Sequence, residues 1–394
     1  MLDGVIAVLA PGQGAQTPGM LAPWLELPEA AQTVERYGEL TGLDMIRLGT
    51  TAGAEEIKDT AVTQPLVVAL GLLAAQLLDL VSDDNTLVTA GHSVGELTAT
   101  AVAGALEADE AIALAARRGA EMAAACALAA TGMSAVLGGD QDEVVAAIAA
   151  LGLTAANRNG AGQIVAAGAL DALAKLGDEP PAGARVRPLP VAGAFHTHYM
   201  APAEEALARY ATTLTARDPA QLLVSNADGT AIADGSSVLL RLVRQVTRPV
   251  RWDLCQHTLR DIGVTAAIEL PPAGTLAGLA KRELPGVDVV TIKTPDDLAK
   301  ARALIGSRPQ HGQGEHTPEF RVAVTPVKGV FTREDGLDEG NELRAGTRIG
   351  TVRTNRDEHP VVVPSAGFLV EWLRHDGDIV GAGLPVARLH GSEH

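Results

Sequence analysis

The chain has 394 residues, of which 47% are hydrophobic and 20% charged, enough for two or three domains of about 150 residues, each with its own core. Acidic residues exceed basic ones by 48 to 31, a net charge of −17, and a field of that sign disfavours nucleic acid and anionic membrane surfaces as partners. Two cysteines and the lack of a collagen-like or heptad period exclude a disulfide-stapled miniprotein and a fibre.

The N-terminus, Met1-Leu2-Asp3-Gly4, carries no positive stretch and no small-residue cleavage site, so it reads as unprocessed and the chain as cytoplasmic. Residues 5–9 are short, rich in β-branched side chains and stopped by Pro11 and Gly12, the pattern of a buried strand entering a glycine turn. The most apolar stretch, 65–78, is interrupted by Gln76 and closed by Asp79. It is too short to cross a bilayer and reads as part of a buried helix over 63–78. A strand at 87–90, a tight turn at 91–95 and one long Ala/Leu-rich helix from Glu96 follow. Strands alternating with helices predict an α/β sheet covered on both faces.

Residues 133–191 have a rhythm of their own: strand 133–137, helix 141–151, strands 154–157 and 163–167, helix 170–176, strand 184–191. That βαββαβ order is ferredoxin-like and predicts a subdomain inserted in the larger sheet, which resumes at 222–225 and 266–268. Residues 306–319 (GSRPQHGQGEHTPE) lose all periodicity and read as a linker. The segment 320–394 repeats itself. Pro326-x-x-Gly329 recurs as Pro364-x-x-Gly367, 38 residues on, and Gly346-x-x-Ile-Gly-x-Val352 as Gly383-x-x-Val-Ala-x-Leu389, 37 residues on. Two β-rich halves with matching glycines predict a small two-fold β structure.

Gly91-His92-Ser93-Val94-Gly95 is a G-x-S-x-G placed between a strand and a helix. In that context the serine sits on a strained elbow at the end of the sheet, and the N–H groups of the helix start face a developing oxyanion. A serine nucleophile needs a base. Of ten histidines, His92 lies beside Ser93 but points to the other side of the elbow. His196 and His198 sit in Gly193-Ala-Phe-His-Thr-His-Tyr-Met200, where the inserted segment returns to the main sheet; spacing does not choose between them. The turn Pro11-Gly12-Gln13-Gly14-Ala15-Gln16 offers the Gln13 N–H as a second oxyanion donor and, without a third glycine, is no dinucleotide fingerprint. Of Arg117 and Arg118, on a helix otherwise built of Ala and Leu, one belongs to a solvated face and the other is available to clamp a carboxylate.

Several separated motifs occur in one order: Pro11-Gly-Gln-Gly-Ala-Gln16, Thr63-Gln-Pro65, Gly91-His-Ser-Val-Gly-Glu96, Arg118-Gly119-x-x-Met122, Asn157-x-Asn159 with Gly162-Gln163, Gly193-Ala-Phe-His196, Ser225-Asn226, and Gln245 with Pro249-Val-Arg-Trp252. Together they resemble the malonyl-CoA:acyl carrier protein transacylases of bacterial fatty acid synthesis, over about residues 4–300. The resemblance implies a hydrolase-like α/β core with the inserted ferredoxin-like subdomain. It implies Ser93 as acyl-accepting nucleophile and His196 as its base, oriented by the backbone carbonyl of Gln245. It further implies Arg118 as the grip on the malonyl carboxylate, and the N–H groups of Gln13 and Val94 as the oxyanion hole. Phe195 resembles the malonyl-selective members, leaving little room for an α-methyl group. Malonyl-CoA and acyl carrier protein are the implied partners, and an acidic carrier is expected to meet a local positive patch including Lys281 and Arg282. One departure is Leu270-Pro271-Pro272 in place of the family's usual Gly-Pro.

The tail resembles the barrel-sandwich fold of biotinyl and lipoyl carrier domains, notably in Val361-Val-Val-Pro-Ser-Ala-Gly367 and Asp376-Gly-Asp-Ile-Val-x-x-Gly383. Those domains carry a lysine on the hairpin between the halves. Here that hairpin, 353–359, reads RTNRDEH, and the only lysine after the linker is Lys328, so neither biotin nor lipoate is expected, and no other cofactor or metal. The expected division is 1–305 acyltransferase, with 133–191 inserted, then 306–319 linker and 320–394 all-β barrel-sandwich-like domain. Two other readings stand beside it. One is a serine thioesterase or an acyltransferase for another acyl-CoA, as in polyketide synthesis; Arg118 and Phe195 argue against it. The other is a scaffold that docks carrier proteins through the tail, which an intact Ser–His pair argues against.

Overall fold

The computed structural model describes residues 5–81, 87–306, 320–334, 336–354, 356–363 and 366–391. The chain divides into two compact units, Met1–Pro309 and Gln310–His394. The linker read at 306–319 lies outside the described residues except for Gly306, as does Pro364 of the tail repeat.

In the first unit, β1 (Ile6–Ala10) is buried along its whole length. Ile6, Val8 and Ala10 enter one core while Ala7 and Leu9 enter another, the period-two alternation of a strand covered on both faces. Helices α1 (Pro28–Thr41) and α2 (Met45–Thr50) follow. The Asp59 carboxylate caps α3 (Thr60–Leu77) by accepting from the Ala61 N–H at 2.9 Å. By length and composition α3 passes as a membrane span, but 78% of it is buried inside the protein. Next come β2 (Leu87–Gly91), α4 (Gly95–Val102) and α5 (Ala108–Cys126), with α3 packed against both helices.

The Ala/Leu pattern from Glu96 reads as one helix; the chain makes two. Gly104 turns left-handed at φ 76° just after α4, and a reciprocal capping box between Glu107 and Glu110 starts α5. Helix-forming composition on both sides hides a break made by a single glycine.

The inserted segment holds β3 (Thr131–Gly138), α6 (Gln141–Ala150), β4 (Thr154–Gly160), β5 (Gln163–Ala169), α7 (Leu170–Asp178) and β6 (Ala184–Pro188). The unit is completed by α8 (Ala201–Ala211), β7 (Leu222–Val224), β8 (Ala231–Ile232), α9 (Gly235–Arg244), β9 (Val250–Arg251), α10 (Trp252–Ile262), β10 (Ala266–Glu269), α11 (Thr275–Glu283), β11 (Asp288–Thr291) and α12 (Leu298–Gly306). The main sheet runs β11-β10-β1-β2-β7-β8, parallel except at the β8 edge. The second sheet runs β6-β3-β5-β4-β9, antiparallel except where β9 joins β4 in parallel. At two residues, β9 is too short for any hydrophobic period to announce it, yet it stitches the inserted sheet to the chain just after Gln245. In the main sheet Ala10 lies opposite Gly91, so the two glycine turns meet at one edge.

The second unit contains β12 (Phe320–Val324), β13 (Gly329–Arg333), β14 (Glu342–Leu343), β15 (Arg348–Arg353), β16 (Glu358–Val362), β17 (Gly367–Trp372), β18 (Ile379–Val380) and β19 (Pro385–Gly391). They form two four-stranded sheets, β12-β19-β17-β14 and β16-β15-β13-β18. The sheets correspond strand for strand across the sequence repeat. Gly346 (φ 80°) donates its N–H to the Val363 carbonyl at 2.8 Å, and Gly383 (φ 78°) does the same to Thr325 at 2.7 Å. Phe331, Ile349, Val352, Val361, Leu369 and Val386 fill the space between them.

Candidate active site

The turn after β2 is built by what its glycines permit. A Cβ on Gly91 would lie 2.2 Å from the Gly95 carbonyl oxygen, and one on Gly95 would lie 2.2 Å from the Ala10 carbonyl oxygen. Neither separation is possible, so only glycine lets α4 press back onto β1 and β2. Between them Ser93 is forced to φ 52°, a left-handed conformation that costs about 1–3 kcal/mol and survives only where surrounding structure imposes it. The Ser93 side chain is half-buried at the C-terminal edge of the sheet.

His196 occupies a second such conformation, φ 61°, in the loop that leaves the inserted segment. Its backbone N–H donates to Val246 at 3.0 Å. Its Nδ1 lies 2.8 Å from the Gln245 carbonyl and its Nε2 2.8 Å from Ser93 Oγ. A carbonyl only accepts, so Nδ1 carries the proton and Nε2 offers its lone pair to the serine hydroxyl. Burial, then the charge of Arg118, lowers the His196 pKa to about 3, which leaves a neutral imidazole at pH 7. His198, the alternative, is exposed and lies against Tyr199 at 4.2 Å. His92 points away from the serine, with Nε2 2.9 Å from Asn159 Oδ1.

The two arginines differ in burial. Arg117 pairs with Glu121 at 2.8 Å on the half-exposed face of α5. Arg118 is 2% exposed. Its Nη1 donates to Gln64 Oε1 at 2.7 Å, and its Nη2 to Gln245 Oε1 at 2.6 Å and to Ser93 Oγ at 3.3 Å. Its Nε, also buried, has no partner. Burial lowers its pKa and the charge of Glu96 opposes that shift; a guanidinium stays charged at neutral pH.

Around these groups lies a network to which the sequence motifs assign no role. Glu96 accepts from Ser225 Oγ, the Asn226 N–H and Gln245 Nε2, at 3.0, 2.8 and 2.5 Å. Asn226 Nδ2 donates to the Gly91 carbonyl at 2.7 Å. The motifs contain all these residues, but nothing in a linear pattern reveals that they share one buried volume. Gln13 lies on the turn after β1, its Nε2 3.5 Å from Thr60 Oγ1. Val94 precedes α4 directly after Ser93. Phe195 is buried in the core beside His196. Lys281 and Arg282 are exposed in the last turn of α11. Among the described residues no cluster of three or more His, Cys, Asp or Glu could hold a metal ion.

A buried guanidinium within hydrogen-bond reach of a serine on an elbow suits an acyl group that ends in a carboxylate. The acyl transferase domain family model matches residues 8–320. The chain belongs to the malonyl-CoA:acyl carrier protein transacylase family. It is 57% identical over 296 residues to the malonyl CoA-acyl carrier protein transacylase of Mycobacterium tuberculosis, covering 75% of this chain and 98% of that protein. It is 31% identical over 305 residues to the same enzyme of Escherichia coli, covering 76% of this chain and 99% of that one. The crystal structure of the M. tuberculosis transacylase superposes with a TM-score of 0.73 at 56% identity, over 75% of this chain and 99% of that one. A structure of a type II PKS acyl-carrier protein in complex with its malonyl-transacylase superposes with a TM-score of 0.72 at 28% identity, over 76% and 99%. The fold is thus the mixed α/β fold of these transacylases with additional β-sheets at the C-terminus; the family model ends at residue 320, at the start of β12.

Proposed function

We propose that Ser93 and His196 carry out this chain's reaction, the transfer of malonyl from malonyl-CoA to acyl carrier protein in fatty acid synthesis, through a malonyl-Ser93 ester. The observation that carries the reading is the continuous path from the Gln245 carbonyl through His196 to Ser93, 2.8 Å at each step, with Arg118 3.3 Å from the same hydroxyl. His196 Nε2 takes the Ser93 proton as the oxygen attacks the thioester carbonyl. The N–H groups of Gln13 and Val94 hold the tetrahedral oxyanion, each worth about 3 kcal/mol in comparable sites. The C–S bond breaks, and His196 returns its proton to the departing CoA thiolate. The carrier's pantetheine thiol then gives its proton to His196 and attacks the ester, restoring Ser93. The two donors take turns at one site, so the kinetics are ping-pong.

Arg118 grips the malonyl carboxylate, and an acyl group without one leaves the guanidinium buried and unpaired, a costly state. Phe195 limits the space for an α-methyl group. Three further parts of the proposal rest on topology and composition. The order β6-β3-β5-β4 supports a ferredoxin-like insertion at 133–191 within an acyltransferase domain over 1–305, hydrolase-like in its core. The paired four-stranded sheets of the second unit support a biotinyl/lipoyl-like domain over 320–394, whose central hairpin offers no acceptor lysine. Free Cys126 and Cys255 support a cytoplasmic location.

The test is intact-protein mass after mixing with malonyl-, acetyl- or methylmalonyl-CoA, in wild type and Ser93→Ala. A malonyl increment on wild type alone is expected. The same increment on Ser93→Ala removes Ser93 as the nucleophile, and equal labelling by all three donors removes the diacid preference.

A further inference from the structure

Two carboxylates are fully buried beside the main sheet, and they are used differently. Glu269 ends β10 and accepts backbone N–H groups of Gly274, Leu276 and Ala277 at 2.8–2.9 Å, so it is consumed in starting α11. Glu96, 1% exposed in the first turn of α4, faces a side chain of the active site instead. Its Oε2 lies 2.5 Å from Gln245 Nε2. The same Gln245 nitrogen lies 3.0 Å from the Ser93 carbonyl, and its Oε1 lies 2.6 Å from Arg118 Nη2.

A carboxamide has nearly the same shape when its oxygen and nitrogen trade places, so its neighbours decide which way it faces. With Nε2 toward Glu96, the oxygen is left for Arg118. Turned over, two donors would meet at Arg118 and two acceptors at Glu96. A carboxylate presents acceptors only, and all three of its partners here are donors, so it permits one orientation.

We propose that Glu96 is a positioning residue for substrate choice: it locks the Gln245 carboxamide with its oxygen toward Arg118, and so aims the guanidinium at the carboxylate of the incoming acyl group. The inference builds on the function proposed above. Arg118 has no directly bonded carboxylate; Glu96, one amide away, is the negative charge that opposes the effect of its burial.

The experiment compares wild type, Glu96→Gln and Glu96→Asp in single-turnover acylation by malonyl-CoA and acetyl-CoA. In Glu96→Gln the new amide competes with Gln245 for donor and acceptor roles. Its malonyl kcat/KM falls about 30-fold, mainly through KM, and its acetyl kcat/KM about threefold, the scale of one misdirected hydrogen bond to a charged group. Glu96→Asp keeps the charge but withdraws it by a methylene, and loses less of the preference in the same direction. Equal losses for both donors reveal a purely structural glutamate and overturn the proposal, as does no loss in either. If Glu96→Gln does not fold, the Glu96→Asp preference decides alone, and an unchanged ratio overturns the idea. A wild type without malonyl preference defeats the functional reading instead. The crystal structure of the variant then judges this proposal: Arg118 moved out of reach of Gln245 supports it, and an unchanged contact overturns it.

Discussion

At the C-terminal end of β2, five polar side chains lie almost wholly out of water: Glu96, Arg118, His196, Asn226 and Gln245 are at most 4% exposed. In the C-terminal unit the buried polar residue among those described is Thr325, and the interior is otherwise aliphatic with Phe331. Left-handed backbone falls on Ser93 and His196 in the first region and on glycines such as Gly346 and Gly383 in the second. The difference lies in what they enclose. A buried polar group is costly unless bonded, so a region that gathers five and bonds them to one another is built around chemistry. The C-terminal unit, with an apolar centre and ion pairs such as Arg348–Glu334 outside, shows no such gathering among the described residues.

Ser93→Ala or His196→Ala lowers malonyl transfer by about 10⁴-fold or more, since the pair works as a unit. A chain ending at Gly306 keeps its transfer rate within about threefold, the scale of a surface change. Stopped-flow or mass-based acylation rates of the three proteins measure both; a dead truncation would show that the C-terminal unit belongs to the catalytic machinery.

Packing mutations in the two units have different expected outcomes. Gly95→Ala drives a methyl into the Ala10 carbonyl, and an ångström of movement in the elbow costs about 10²-fold in rate. Phe331→Ala removes about 3–5 kcal/mol from the C-terminal unit and leaves malonyl transfer as it was. Calorimetry beside the transfer assay separates the two. A shared loss of activity would contradict the division of labour.

The smallest effect is an absence of change. In the proposed mechanism the neutral form of His196 is the base, and its pKa is lowered from 6.5 to about 3. Acylation kcat/KM therefore stays flat as pH falls from about 8 to about 5, and drops only on approach to the folded value. The stability tied to this depressed histidine is complete above 6.5 and is lost progressively as pH falls below it, because the unfolded chain takes up the proton first. An acid limb centred near 6.5 would mean that His196 is not enclosed in this way.

Much of the site was legible because its chemistry is written in adjacent residues. Gly91, Ser93 and Gly95 must be neighbours to make an elbow, and a strand before and a helix after them are local events. Arg118, by contrast, was one of two arginines until burial separated it from Arg117. His196 was one of two histidines until Gln245, 49 residues away, supplied its carbonyl. Helix α4 was hidden by the composition it shares with α5, and β9 by its length of two residues.

The alternation of strand and helix, the serine elbow, the two-fold repeat of the tail and the family are therefore written in the chain. All of these depend on residues close in the chain or on motifs in fixed order. The direction of the Gln245 carboxamide, and the buried carboxylate one amide away from Arg118, come from folding. Glu96 and Gln245 are separated by 149 residues and meet at 2.5 Å, and only folding converts that separation into a contact with a direction.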